Sequence, residues 1–141
     1  MGGELVLVDT GPLVALFDPS DADRPACRTC LDSLEGTGLV TTEAVVTEAL
    51  YLLAFSTRAQ VALLELLASG RPRVEPLGAG DRRLAARLME KYADLPMDYA
   101  DATLVLLADR LDTTRVFSLD RRDFGIYRTR RRRFIVIPRS A

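Results

Sequence analysis

Four carboxylates in this chain stand where ordinary structural duty does not account for them. Glu48 falls in a stretch of helical periodicity, and the positions sharing its face are Ala44, Val45, Tyr51, Leu52 and Phe55. Asp101 is followed at three, four and seven residues by Leu104, Val105 and Ala108. Each acid interrupts an apolar stripe and is expected to point inward. Asp9 and Asp120 each follow directly on a short apolar run that reads as a strand. In an open parallel sheet, ligand sites form just beyond the carboxyl ends of the strands. Turn or N-cap duty explains either aspartate singly. Both together, beside two inward-facing helical acids, point to a shared site. The competing structural account is a buried acid paired to arginine.

A cluster of acids is also an energetic problem. Two carboxylates ~4 Å apart repel by roughly 4 kcal/mol at an effective dielectric near 20. Four at one sheet edge must take up protons, move apart or hold a cation. An all-oxygen set favours Mg²⁺ or Mn²⁺ over zinc. Such an ion activates water and steadies the oxygens of a phosphodiester during in-line displacement. That chemistry needs no histidine, and the chain has none. The same absence excludes Ser-His-Asp and Cys-His mechanisms, histidine acid–base nucleases and histidine-built zinc sites.

The elements expected to position these residues alternate. Strands are expected over residues 4–8, 38–41, 73–76, 115–119 and 134–137. Gly11-Pro12 reads as a turn after the first. Helices are expected from Asp21 or Asp23 to near Gly36, with Pro25 in the first turn, and then over 42–55 and 58–69, the latter closed by Gly70. Asp81 is expected to cap a further helix whose face is Leu84, Ala85, Leu88, Met89 and Tyr92. The last begins near Asp98 and runs to Leu111. The fold class is therefore α/β, with a mainly parallel central sheet flanked by helices. At 141 residues the chain fits one domain spanning 1–141. No run approaches the ~20 apolar residues that cross a bilayer, and no leader-like segment opens the chain. A cytoplasmic protein without membrane contact is the expectation.

Charge is balanced in sum, at −1, but not along the chain: residues 121–139 hold eight arginines against one acid. An acidic body with a basic end suits a polyanion or an acidic protein partner. Cys27 and Cys30 share an apolar helical face with Leu31 and Leu34, so core packing is expected rather than redox or metal duty.

Taken together, these segments resemble PIN domains, especially those of VapC-type toxins. The resemblance is carried by residues 6–16 around Asp9, by 41–53 around Glu48, by 98–105 around Asp101, and by 116–124 around Asp120. It spans most of the chain, with the acids in the family's order. It implies a PIN-like fold and Mg²⁺- or Mn²⁺-dependent ribonuclease activity, with Asp9, Glu48, Asp101 and Asp120 as metal ligands and catalytic acids. It also implies a VapB-type antitoxin partner and a homodimer. Asp98 is either a further ligand or the N-cap of its helix. Thr10 and Ser118 read as hydroxyls that orient a carboxylate or water, and Asp123 as an acid with similar duty or a loop anchor. Arg121, Arg122, Arg130, Arg131, Arg132 and Arg133 are expected to meet RNA or the protein partner, some of them near the acids.

Three rivals remain. A catalytically silent PIN-like domain would bind RNA or protein with its acids unused. Asp9-Thr10-Gly11 after an apolar run also resembles the catalytic turn of retroviral-type aspartic proteases, a fold that is nearly all strand. A receiver domain needs a lysine near its last strands, and Lys91, the only lysine, falls elsewhere.

Overall fold

The computed structural model describes residues 4–139. Five strands form a sheet in which every pairing is parallel: β1 (Leu5–Val8), β2 (Gly38–Thr42), β3 (Arg73–Glu75), β4 (Arg115–Phe117) and β5 (Ile135–Ile137), in the order β3-β2-β1-β4-β5. The helices are α1 (Thr10–Phe17), α2 (Arg24–Ser33), α3 (Glu43–Leu52), α4 (Thr57–Ala68), α5 (Ala79–Lys91), α6 (Tyr99–Leu111) and the single turn α7 (Arg121–Phe124). This is the expected α/β architecture, and it removes the all-strand protease rival.

β1 is the middle strand, and Val6, Leu7 and Val8 on it are almost wholly buried, as β-branched and leucine side chains covered on both faces of a parallel sheet should be. From β1 the chain builds outward to β2 and β3 on one side and to β4 and β5 on the other. The order reverses between β1 and β4, and it is beyond the carboxyl ends of strands at such a reversal that open α/β sheets carry their ligand sites. Pairing of Leu7 with Val116 and of Val8 with Phe117 sets Asp9 beside Ser118.

Two local readings are corrected. Gly11-Pro12 is not a turn but the first turn of α1, where a missing proline N–H costs nothing because the first amides of a helix have no intrahelical partner. Asp81 does not cap α5; Gly78 holds that position, and the Asp81 carboxylate accepts its amide from one turn inside, at 2.8 Å. Cys27 and Cys30 are buried free thiols within the core cluster, as expected, and burial pushes the Cys27 thiol up to about 11.

A buried hydrogen-bond chain ties the helices over the sheet end. Thr42, at the N-cap of α3, accepts the Val45 amide at 3.4 Å and meets the Thr103 hydroxyl at 2.8 Å; Thr103 donates to the Ala100 carbonyl at 2.7 Å. Thr41 donates to the Val8 carbonyl at 2.8 Å. These contacts fix α3 and α6, and with them Glu48 and Asp101, against the end of β1.

Candidate functional site

Asp9 is the centre of the site. It stands at the N-cap of α1 with extended backbone, yet its side chain caps nothing. Instead Oδ2 accepts the Ser118 hydroxyl at 2.7 Å, while its amide donates to the Phe117 carbonyl at 2.9 Å. A buried carboxylate not used as a cap has no local structural reason to be there. Burial pushes Asp9 up from 3.8 to about 6; Ser118 and the Thr10 amide pull it back, and the Glu48 and Asp98 charges add to the rise.

Asp101 sits in the first turn of α6, half-buried above Leu104, Val105 and Ala108, which are buried as the stripe predicted. Burial first, then the charges of Asp98 and Asp9, raise it to about 8. Its Oδ2 accepts the hydroxyl of Tyr127 at 3.1 Å. Burial also raises the Tyr127 phenol, with Asp101 next in effect, so it stays a proton donor.

Asp98 is both the N-cap of α6, accepting the Asp101 amide at 2.8 Å, and a neighbour of the other acids. Its charge raises Asp9, Glu48, Asp101 and Asp123. The cap reading is correct, and the side chain belongs to the acid group as well.

Glu48 is half-buried, and burial followed by Asp98 raises its carboxyl, while the nearby Thr10 hydroxyl lowers it. Its stripe is not the inward face the periodicity implied. Val45 is buried, but Tyr51 is 78% exposed and Phe55 64%, so Glu48 lies at the border of an exposed apolar surface. Thr10 is itself buried, and its hydroxyl, near enough to Glu48 to lower it, makes no well-formed hydrogen bond among the described residues.

Asp120 accepts the Asp123 amide at 3.0 Å, and its own amide donates to the Ser118 hydroxyl oxygen at 3.0 Å. Burial and the Asp120 carboxyl raise Asp123, against the pull of Arg122. These two acids lie on the Tyr127 side of the group, since both add to the rise of the phenol.

The arginines divide. Arg122 is exposed beside Asp123, and Arg121 donates to the Pro138 carbonyl. Residues 128–133 fold back on the far end of α6: the Arg130 amide donates to Asp109 at 2.9 Å, and Arg132 pairs with Asp112. From Asp101 to Asp109 is eight residues, or about 12 Å of helix at 1.5 Å per residue. The segment holding Arg130, Arg131, Arg132 and Arg133 therefore turns away from the acids, and of the expected arginines it is Arg122 that lies beside one of them.

Tyr127 is the site residue that sequence reasoning missed. It packs edge-on against Tyr92 and Phe124, with ring centroids 5.1 and 5.3 Å away. Its only sequence signal is a large polar aromatic in an otherwise charged segment.

The donor set is carboxylate and hydroxyl oxygen throughout, which fits a hard divalent cation. The raised carboxyls of Asp9 and Asp101, and a buried Thr10 hydroxyl without a well-formed hydrogen bond among the described residues, agree with a group suited to a cation. Among the described residues no three acids already converge tightly enough to grip an ion.

A model of the PIN domain matches residues 6–131. Ribonuclease VapC26 of Mycobacterium tuberculosis (strain ATCC 25618 / H37Rv) is 39% identical over 136 residues, covering 94% of this chain and 100% of that protein. The crystal structure of Mycobacterium tuberculosis VapC20, described as a sarcin-ricin loop cleaving toxin, superimposes with a TM-score of 0.76 at 22% identity, covering 83% of this chain and 91% of that one. The second likeness is one of fold; the first is one of sequence along nearly the whole length. The chain belongs to the PIN-domain family, in its VapC-type branch.

Proposed function

We propose that this chain is a divalent-metal-dependent endoribonuclease, the toxin of a toxin–antitoxin pair, with Asp9, Glu48, Asp101 and Asp120 as its metal-holding acids. The observation that carries the reading is Asp9: a buried carboxylate, not used as a cap, held by Ser118 among acids that raise its pKa. The name of VapC26 supports RNA as substrate.

In this reading Asp9, Glu48 and Asp101 converge on Mg²⁺ or Mn²⁺, with Asp120 at the Tyr127 edge and Asp98 as a further oxygen donor. The bound cation supplies Lewis acidity that activates water and offsets charge on the phosphodiester. Ser118 and Tyr127 each hold one oxygen of their acid partner, which leaves the other oxygen of Asp9 and of Asp101 for the ion. The Thr10 hydroxyl, beside Glu48, can orient that carboxylate or a water. The exposure of Arg122 beside Asp123 supports a contact with an RNA phosphate. The exposed apolar residues Tyr51, Leu52 and Phe55, with Val61 and Leu64 on α4, support association with a VapB-type antitoxin or a second copy of the chain. Among the described residues no helix is long and apolar enough to cross a membrane.

The test uses partner-free protein and single-stranded RNA. Cleavage is expected with Mg²⁺ or Mn²⁺ and is expected to stop in chelator. Asp9→Asn, Glu48→Gln, Asp101→Asn and Asp120→Asn should each lower it roughly a hundredfold or more, beyond the 10–100-fold that follows loss of a supporting hydrogen bond. Full cleavage in chelator would sink the reading.

A further inference from the structure

Away from the acids, α5, α6 and residues 128–130 enclose a groove of about 370 Å³. Its cations are Arg87, Lys91, Arg110, Arg128 and Arg130, and its acids are Asp81 and Asp109. Both acids are already engaged: Asp81 pairs with Arg110 and accepts the Gly78 amide, and Asp109 accepts the Arg130 amide. Arg87, Lys91 and Arg130 are exposed, and none of them enters an ion pair among the described residues. Arg87 and Lys91 are four residues apart on α5 and share a face, about 6 Å apart along the axis. The groove floor carries Leu84, Leu88 and Leu106.

Cations on the rim and leucines on the floor match a strand with phosphates on one side and sugars and bases on the other. An acidic peptide would also meet the charge. What favours a nucleic acid is continuity with the acids. The Tyr127 hydroxyl touches Asp101, and the next residues, Arg128 to Arg130, line the groove. The Arg128 amide is fixed in turn by the Tyr92 hydroxyl at 3.1 Å. One short segment thus runs from the acid group to the cations, beside a helix that spans the same ~12 Å.

We propose that this groove is a second RNA-contact site, holding phosphates of the strand outside the bond that is cut; the proposal rests on the ribonuclease reading for its ligand. It answers an electrostatic need: a cluster of acids repels the backbone it must approach, and fixed cations a few nucleotides away offset that repulsion.

The test is binding, measured in chelator so that nothing is cut. Wild type and the Arg87→Gln/Lys91→Gln/Arg130→Gln variant are titrated by fluorescence anisotropy with a single-stranded RNA of about twenty nucleotides and with one of about four, over a range of salt. All three positions are exposed, so the fold should survive, and circular dichroism checks it. The variant should bind the long RNA roughly tenfold or more weakly, and the slope of log affinity against log salt should flatten by about 2, at ~0.7 per lost phosphate contact. The short RNA, repelled by the metal-free acids, should sit on the same cations and lose affinity in the variant as well. Unchanged affinity and slope with the long RNA overturn the proposal. Cleavage by wild type in Mn²⁺ is scored separately. A wild type that binds with the expected slope but never cuts defeats the ribonuclease reading and leaves the groove standing.

Discussion

Asp9→Asn should stabilise the metal-free protein, and by an amount that depends on pH. The Asp9 carboxyl titrates at about 6 in the fold against an ordinary 3.8. Because the folded value is raised, the folded state prefers the protonated form. Stability is then full below pH ~3.8 and falls as pH rises through about 6. Once the group is ionised in both states the cost is about 3 kcal/mol, at ~1.4 kcal/mol per tenfold of acidity. Asparagine removes the charge and keeps an oxygen that accepts from Ser118, so it resembles the protonated acid at every pH. Thermal unfolding of wild type and variant in chelator should nearly coincide at pH 3 and diverge by pH 8, with the variant higher. For a chain of this size ~3 kcal/mol corresponds to about 6–12 °C in Tm. Added Mn²⁺ should narrow or reverse the gap, since it stabilises only the protein that binds it. A gap independent of pH, or a wild type more stable than the variant at pH 8 in chelator, would refute the claim that Asp9 is held against its preference.

Tyr127→Phe keeps the aromatic packing but removes the hydrogen bond to Asp101, so the carboxyl should rise further from about 8 and the onset of cleavage should move to higher pH in a pH–rate profile. An unmoved profile would assign Tyr127 to packing alone. Asp98→Asn should hold stability because asparagine also caps, whereas Asp98→Ala should lose about 1 kcal/mol in urea unfolding. Cleavage should fall less in Asp98→Asn than in Asp101→Asn. Thr42→Val and Thr103→Val should each cost about 1–3 kcal/mol by stranding a buried partner, and the double variant should cost less than the sum, measured as a double-mutant cycle. Cys27, held at about 11, should resist alkylation by iodoacetamide at pH 8 in the folded protein and react readily once unfolded.

Much of the fold was readable because it depends on local patterns. The β-branched runs gave all five strands, and Asp98 and Gly70 marked helix ends that hold, Gly70 with φ +87°. α1 was missed because Gly11-Pro12 is a turn signal in isolation, and only burial of Leu13 and Ala15 in a helix packed against α2, α3 and α4 turns it into helix. The order of acids along the chain was legible; their environments were less so. Periodicity says which residues share a face but not which faces are covered, so Glu48 with Tyr51 and Phe55 read as inward although that surface is open. Asp101 read correctly because its stripe belongs to the helix packed on β1 and β2. Tyr127 was illegible because its partner is 26 residues away in sequence and joined only by tertiary packing. The arginines failed for the converse reason: proximity to Asp120 along the chain ends where residues 128–133 turn back towards Asp109 and Asp112.

The hydrogen bond from Ser118 to Asp9 spans 109 residues. A ribosome therefore releases Asp9 long before it makes the hydroxyl that holds it. Until β4 is translated the middle strand has a neighbour on one side only, and Asp120 does not yet exist. A nascent or prematurely terminated chain carries most of the acids without their frame. For a protein that cuts RNA, and is born on RNA, such late completion implies that the growing chain lacks the finished site until synthesis is nearly done.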